Sequence, residues 1–146
     1  MDQDQTRTAG TRRPRPFTVN VPHAAGENQN FRTVLWTGTR LQITLMSIPV
    51  REDIGFEIHP ETDQYIRVER GQAAVMLGSR KDRPEFHQRL GPGDAVFVPA
   101  GTWHNIINTG LQPLKLSSVY APPQHPSGTV HRTKADAEAA EKNSAR

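Results

Sequence analysis

Cysteine is absent from the 146 residues, which excludes a disulfide framework, a thiolate nucleophile and a thiolate zinc site. Any metal must therefore be held by His, Asp, Glu or amide groups. Long apolar runs are missing too: no stretch approaches the roughly 20 residues of a membrane-spanning helix, and the N-terminus lacks the apolar run of a secretory signal. Asp2 and Asp4 argue against a transit peptide. A soluble, cytoplasmic protein is the expectation. An excess of one charge is missing where it would matter. The formal charge is +3, but residues 17–130 carry ten basic and ten acidic side chains, so the surplus sits in the tails. Nucleic-acid binding needs a basic face on the domain itself, so no nucleic-acid partner is expected, and no membrane.

Apolar residues make up only 34% of the chain, a low share for a compact domain, which places part of the chain outside the core. Met1 to Pro16 has four arginines, two prolines and no aliphatic cluster, too little to offset its ordering entropy. Residues 1–30 are accordingly read as an N-terminal extension, largely disordered. Between residues 31 and 121 short β-type runs alternate with Gly and Pro: 31–36, 41–48, 55–59, 64–69, 73–77, 86–90, 95–98, 104–108 and 114–120. Closely spaced strands with turn residues between them mark an all-β sandwich or barrel. Residues 122–146 form a Pro-rich arm followed by a short helix, with Thr133 as N-cap before Lys134 to Glu141. There is no internal repeat.

Side chains two apart on a strand share a face, so Glu57 and His59 point together. Gln64 opens the next run and folds back toward them, while His104 begins a later strand after a tight turn, with Asn108 on its face. Two imidazoles and one carboxylate with open positions suit a first-row divalent ion. Glu57, His59 and His104 make that set, and Gln64 adds a neutral oxygen. The competing reading is a metal-free pocket in which Glu57 and His59 hydrogen-bond each other or water.

Other residues admit two readings each. Trp103 and Trp36 either stack on a ligand or fill the core. Gln42, Thr44 and Met46 share one strand face and either line the barrel mouth or face out. Residues 80–83 read as a solvated hairpin tip. His125 and His131 lie in an arm stiffened by Pro122, Pro123 and Pro126, which either covers the mouth or packs on a partner subunit.

Residues 40–121 resemble single-domain cupins of the conserved-barrel type. The second motif of that family is met at every fixed position by Gly93, Pro99, Gly101, His104 and Asn108. The first falls on Glu57, His59, Gln64 and Gly71 with its spacing intact, but Glu stands for the usual first His, Gln for the usual Glu, and Arg51 for a preceding Gly. The ligand set still carries one negative charge, with the carboxylate moved to the neighbouring strand. The resemblance implies a small antiparallel β-barrel, or jelly roll, with a disordered N-terminal tail and a short C-terminal helix. It implies a divalent metal ion (Zn, Mn, Fe or Ni) on Glu57, His59, Gln64 and His104, a small-molecule substrate and a homodimer. The best-matched activity is a metal-dependent isomerase or epimerase of a sugar or sugar phosphate, similar to mannose-6-phosphate isomerases. Glu57 (if free of metal), His125 and His131 are its candidate catalytic residues, and Asn108, Gln42, Thr44 and Trp103 its candidate substrate contacts. A non-haem dioxygenase and a non-catalytic carbohydrate or metabolite binding module are the alternatives.

Overall fold

Short β-branched and aliphatic runs broken by Gly and Pro favour strands over helices. In the computed structural model, which describes residues 13–144, eight strands fall close to the expected runs. They are β1 Arg32–Thr37, β2 Gln42–Ile48, β3 Asp63–Arg70, β4 Ala73–Gly78, β5 Phe86–Leu90, β6 Ala95–Val98, β7 Trp103–Asn108 and β8 Leu114–Ala121. A ninth, β9 Val130–His131, adds to the edge of β1. The sheets are antiparallel, with orders β6-β3-β8-β2-β1-β9 and β5-β4-β7, and they face each other across one interior. The jelly roll expected from the sequence is the observed fold.

Three local differences have physical causes. The run 55–59 is not a continuous strand; it follows β7 through isolated bridges, Asp53 opposite Ile107 and Glu57 opposite His104. Gly55 at φ +84° breaks its extended course. In the N-terminal extension, α1 Val21–Glu27 forms, capped by Asn20, whose Oδ1 accepts from the His23 amide at 2.9 Å. It packs on β2, β3 and β8 with Ala25 buried, and Lys115 Nζ donates to the Asn28 carbonyl at its end. The part of the disorder reading that concerns residues 1–12 lies outside the described residues. Finally, Arg51 holds φ +70° where the motif has Gly, so the sharp turn survives without the residue that adopts it most easily.

The C-terminal helix α2, Lys134–Ser144, is docked. Thr133 Oγ1 accepts from the Asp136 amide as the expected cap, Ala137 is 7% exposed, and Lys134 Nζ lies 2.7 Å from Asp53 Oδ1.

Register places the site. On the inner face Gln42 pairs with Tyr120 and Tyr120 with Gln64; next come Thr44, Ser118 and Ile66, then Met46, Leu116 and Val68, then Ile48 and Leu114. The interior thus runs from a polar mouth to an apolar base, where Ile48, Val68, Val75, Ile106, Leu114 and Leu116 form the centre of the core.

Candidate metal centre

Glu57 and His104 are held opposite each other by a reciprocal pair of backbone hydrogen bonds, each 2.9 Å. His59 is fixed from the other side: its carbonyl accepts from the Gly101 amide at 2.9 Å. Gly101 has φ +80°, a conformation that glycine adopts without a Cβ clash, and its turn delivers His104 to the start of β7. The two sequence motifs are therefore joined through backbone contacts. The donor atoms of Glu57, His59 and His104 all lie within 4.8 Å of one another.

The unpartnered atoms of this cluster fit a cation. His104 Nδ1 lies 3.1 Å from the Thr102 carbonyl. A carbonyl can only accept, so Nδ1 carries the proton and Nε2 keeps its lone pair. That Nε2 is buried with no hydrogen-bond partner. His59 Nε2 is likewise buried without one, its distance of 3.6 Å to Glu57 Oε1 being too long. Gln64 donates through Nε2 to Ser118 Oγ at 3.1 Å, which leaves its buried Oε1 unpartnered. Two imidazole nitrogens and an amide oxygen, next to a carboxylate, are the donor types that a first-row divalent ion takes. Burial pushes the Glu57 carboxyl up, but His59, Arg32 and His104 outweigh it and hold the group below its ordinary value. Burial pushes His104 down, against the pull of Thr102 and Glu57, so its imidazole is neutral as a ligand must be.

The remaining candidates are placed unequally. Thr44 is buried in the mouth with Oγ1 unpartnered. Gln42 faces in as well, but its amide holds the arm: Oε1 accepts from the Gln124 and His125 amides at 3.2 and 3.0 Å, and Nε2 donates to the His125 carbonyl at 2.7 Å and to Thr37. The arm thus covers the mouth of its own barrel. His125 packs edge-on to Tyr120 at 5.2 Å, its Nε2 buried and unpartnered, and burial pushes its pKa down to about 3. His131, on β9, lies 3.4 Å from Arg32 Nη1. Asn108 is no substrate contact: Nδ2 donates to the carbonyls of Ile48, Pro49 and Gln112, and Oδ1 accepts from Gly110, so the amide ties loops at the apolar base. Trp103 points away from its neighbour His104 to the outer face, where Lys81 sits 5.6 Å from its ring. Trp36 Nε1 donates to the Arg15 carbonyl outside the barrel.

The sequence reading missed Arg32, Ser118 and Tyr120. Arg32 is buried with Nη2 3.6 Å from Glu57 Oε2, and Tyr120 stands edge-on to His59 at 5.6 Å, its hydroxyl pushed up to about 12 by burial. Ser118 and Tyr120 share strand parity with the core residues Leu114 and Leu116, which was the available signal.

Residues 44–120 match the cupin domain family. The chain is a cupin. It is 57% identical to the uncharacterized protein YrkC of Bacillus subtilis (strain 168) over 128 residues, 88% of this cupin and 69% of YrkC. It is 42% identical to the uncharacterized protein L612 of Acanthamoeba polyphaga mimivirus over 115 residues, 78% and 70% of the two chains. The crystal structure of BH2720 from Bacillus halodurans superposes with a TM-score of 0.85 at 57% identity, covering 86% of this cupin and 96% of that chain. The cupin thus carries a His/Glu group able to hold a metal ion. No helix among its described residues is long and apolar enough to cross a membrane.

Proposed function

We propose that this cupin is a metal-dependent enzyme that moves a proton on a small polar substrate, as an isomerase or epimerase of a sugar or sugar phosphate. One observation carries this reading: the donor set and a third, independently held imidazole, that of His125, meet at one end of the interior. Glu57, His59, His104 and Gln64 hold the ion, which when bound polarises a carbonyl or hydroxyl oxygen. His125 is the proton carrier. Its Nε2 is buried with no hydrogen-bond partner among the described residues, so a substrate can engage it, and Gln42 fixes the backbone on both sides of it. Tyr120, protonated at neutral pH, offers a hydroxyl beside it. Glu57 is assigned to the ion, and His131 to Arg32.

The test is solvent deuterium wash-in at the carbon next to a carbonyl, followed by NMR over a panel of aldoses, ketoses and their phosphates, on protein loaded in turn with Zn, Mn, Fe and Ni. Wash-in that His125→Gln removes without loss of metal supports the proposal. No wash-in with any metal and any sugar overturns it.

A dioxygenase is the second reading, because two imidazoles and one carboxylate within 4.8 Å are also the set that non-haem Fe(II) takes. Iron-dependent oxygen uptake distinguishes it. The homodimer is part of the same proposal, supported by Phe97 on the edge strand β6, which is 71% exposed; sedimentation velocity tests it.

A further inference from the structure

A permanent positive charge sits inside the barrel next to the metal centre. Arg32 is 3% exposed. Its Nη2 lies 3.6 Å from Glu57 Oε2, its Nη1 is 3.4 Å from His131 Nδ1, the Tyr120 hydroxyl interacts with the guanidinium, and its Nε is buried with no hydrogen-bond partner among the described residues. A guanidinium does not give up its proton in a protein, so this charge cannot be relieved by titration.

The nearby charges belong elsewhere. Lys115 reaches out to Asn28 and Ser47, and Arg67 pairs with Glu69, whose other oxygen accepts from Ser117. Glu141 is the exception: from α2 it lines the same cleft as Glu57, within electrostatic reach of Glu57, Arg32 and His59, although it is exposed to water. Among the described residues, the charges at this site are therefore the buried pair Arg32 and Glu57, which cancel, and the water-exposed Glu141 at the cleft. A divalent ion on Glu57 adds two positive charges, and inside the barrel Glu57 alone cannot compensate both the ion and the guanidinium, because the charge of Glu141 is screened by water. Buried, uncompensated charge is strongly unfavourable, and here it is offset by a ligand that brings negative charge.

We infer that the ligand of this site is a small oxyanion, with Arg32 as the residue that recognises it. The buried, unpartnered Nε and the adjacent Nη2 form the edge that pairs with two oxygens of a carboxylate or phosphate. The buried Thr44 Oγ1 and the Tyr120 hydroxyl beside it are further hydrogen-bonding groups in the same mouth. This rests on the metal-centre reading above and narrows its substrate from polar to anionic: a sugar acid or sugar phosphate, not a neutral sugar.

The test begins with elemental analysis of protein loaded with Co2+. The loaded protein is then titrated with glycolate, with inorganic phosphate and with the neutral isostere glycolamide, following heat and the visible cobalt band. At least one anion is expected to bind about tenfold or more tightly than glycolamide, on the order of one charge-assisted pair, and the tighter anion identifies carboxylate or phosphate. Arg32→Gln is expected to abolish that preference while cobalt per chain stays unchanged. Equal binding of glycolamide and both anions, or a preference that survives in a cobalt-loaded Arg32→Gln protein, overturns the inference and leaves the metal centre standing. Failure to take up cobalt overturns the metal centre and the inference with it. Should Arg32→Gln not fold, Arg32→Lys takes its place: it keeps the charge but loses the two-pronged edge, and a preference for the anion that is unchanged in cobalt-loaded Arg32→Lys protein overturns the inference.

Discussion

Along β2, β3 and β8 the inner face changes character within a few residues. At the base, Ile48, Val68, Leu114 and Leu116 are buried against Val75 and Ile106. At the mouth the same strands bury Gln42, Thr44, Gln64, Ser118 and Tyr120. Each base side chain contributes about 1.5–3 kcal/mol by leaving water. The mouth does the opposite, because Thr44 Oγ1, Gln64 Oε1, His59 Nε2 and His104 Nε2 are dehydrated without a protein partner, a loss of about 1–3 kcal/mol each. One end of the barrel stabilises the fold while the other carries unmatched donors and acceptors for a ligand, and the second depends on the first.

The contrast is broken most completely by replacing a mouth ligand. His59→Leu is expected to take bound metal from about one ion per chain to background, while the metal-free protein changes by no more than about 1 kcal/mol, since the lost attraction between His59 and Glu57 offsets the relief of a buried, unpartnered nitrogen. Elemental analysis with urea unfolding of the metal-free forms measures both, and a large loss of metal-free stability would remove the distinction between the two ends.

Leu116→Ala at the base should reverse the pattern, costing about 2–5 kcal/mol in unfolding free energy with metal content per folded chain unchanged. Asn108→Ala belongs with the base despite its polarity. It strips three carbonyls of their donor, with an expected loss of about 1–3 kcal/mol and no change in metal uptake.

Gln42→Leu lies between the two ends, because it releases the arm. Faster amide exchange over residues 122–131, with a global loss of about 1–2 kcal/mol, is the expected result.

The remaining effect is one of pH. His125 in the folded chain has its pKa pushed from 6.5 down to about 3, so between those values the unfolded arm binds a proton that the folded one does not. The arm's stability is therefore complete above pH 6.5 and declines as the pH falls toward 3. After correction for intrinsic exchange rates, protection of the arm should fall over that window, and His125→Phe should flatten the slope.

Much of this was legible in the residues. The second cupin motif names His104 and its turn, because Gly101 and Pro99 fix the local backbone and no distant contact is needed to place them. Strand parity joined Glu57 to His59, although that run is not a continuous strand and long-range backbone bonds to His104 and Gly101 are what hold the two in place. Parity was silent on which face of β2 is inner, so Gln42 and Thr44 stayed ambiguous, and it placed Asn108 on the inner side without showing that its amide points at the base loops. Trp103 suggested a ligand contact by its type, although strand alternation with His104 puts it outside. Arg32 was passed over because a lone Arg in a strand is normally solvated.

By itself, the sequence determined the all-β class, most strand positions, the spacing of Glu57, His59 and His104, and the absence of thiol chemistry. These are local properties, set by turn residues and period-two alternation. Only the tertiary structure decided that Gln42 holds the arm over the mouth, that α1 packs on the large sheet, and that Arg32 faces Glu57 at 3.6 Å. Glu57 lies 25 positions beyond Arg32, and Gln42 lies 83 before His125. Contacts over such separations come from closing the barrel, where the burial of many side chains at once fixes which charges and amides must share one interior.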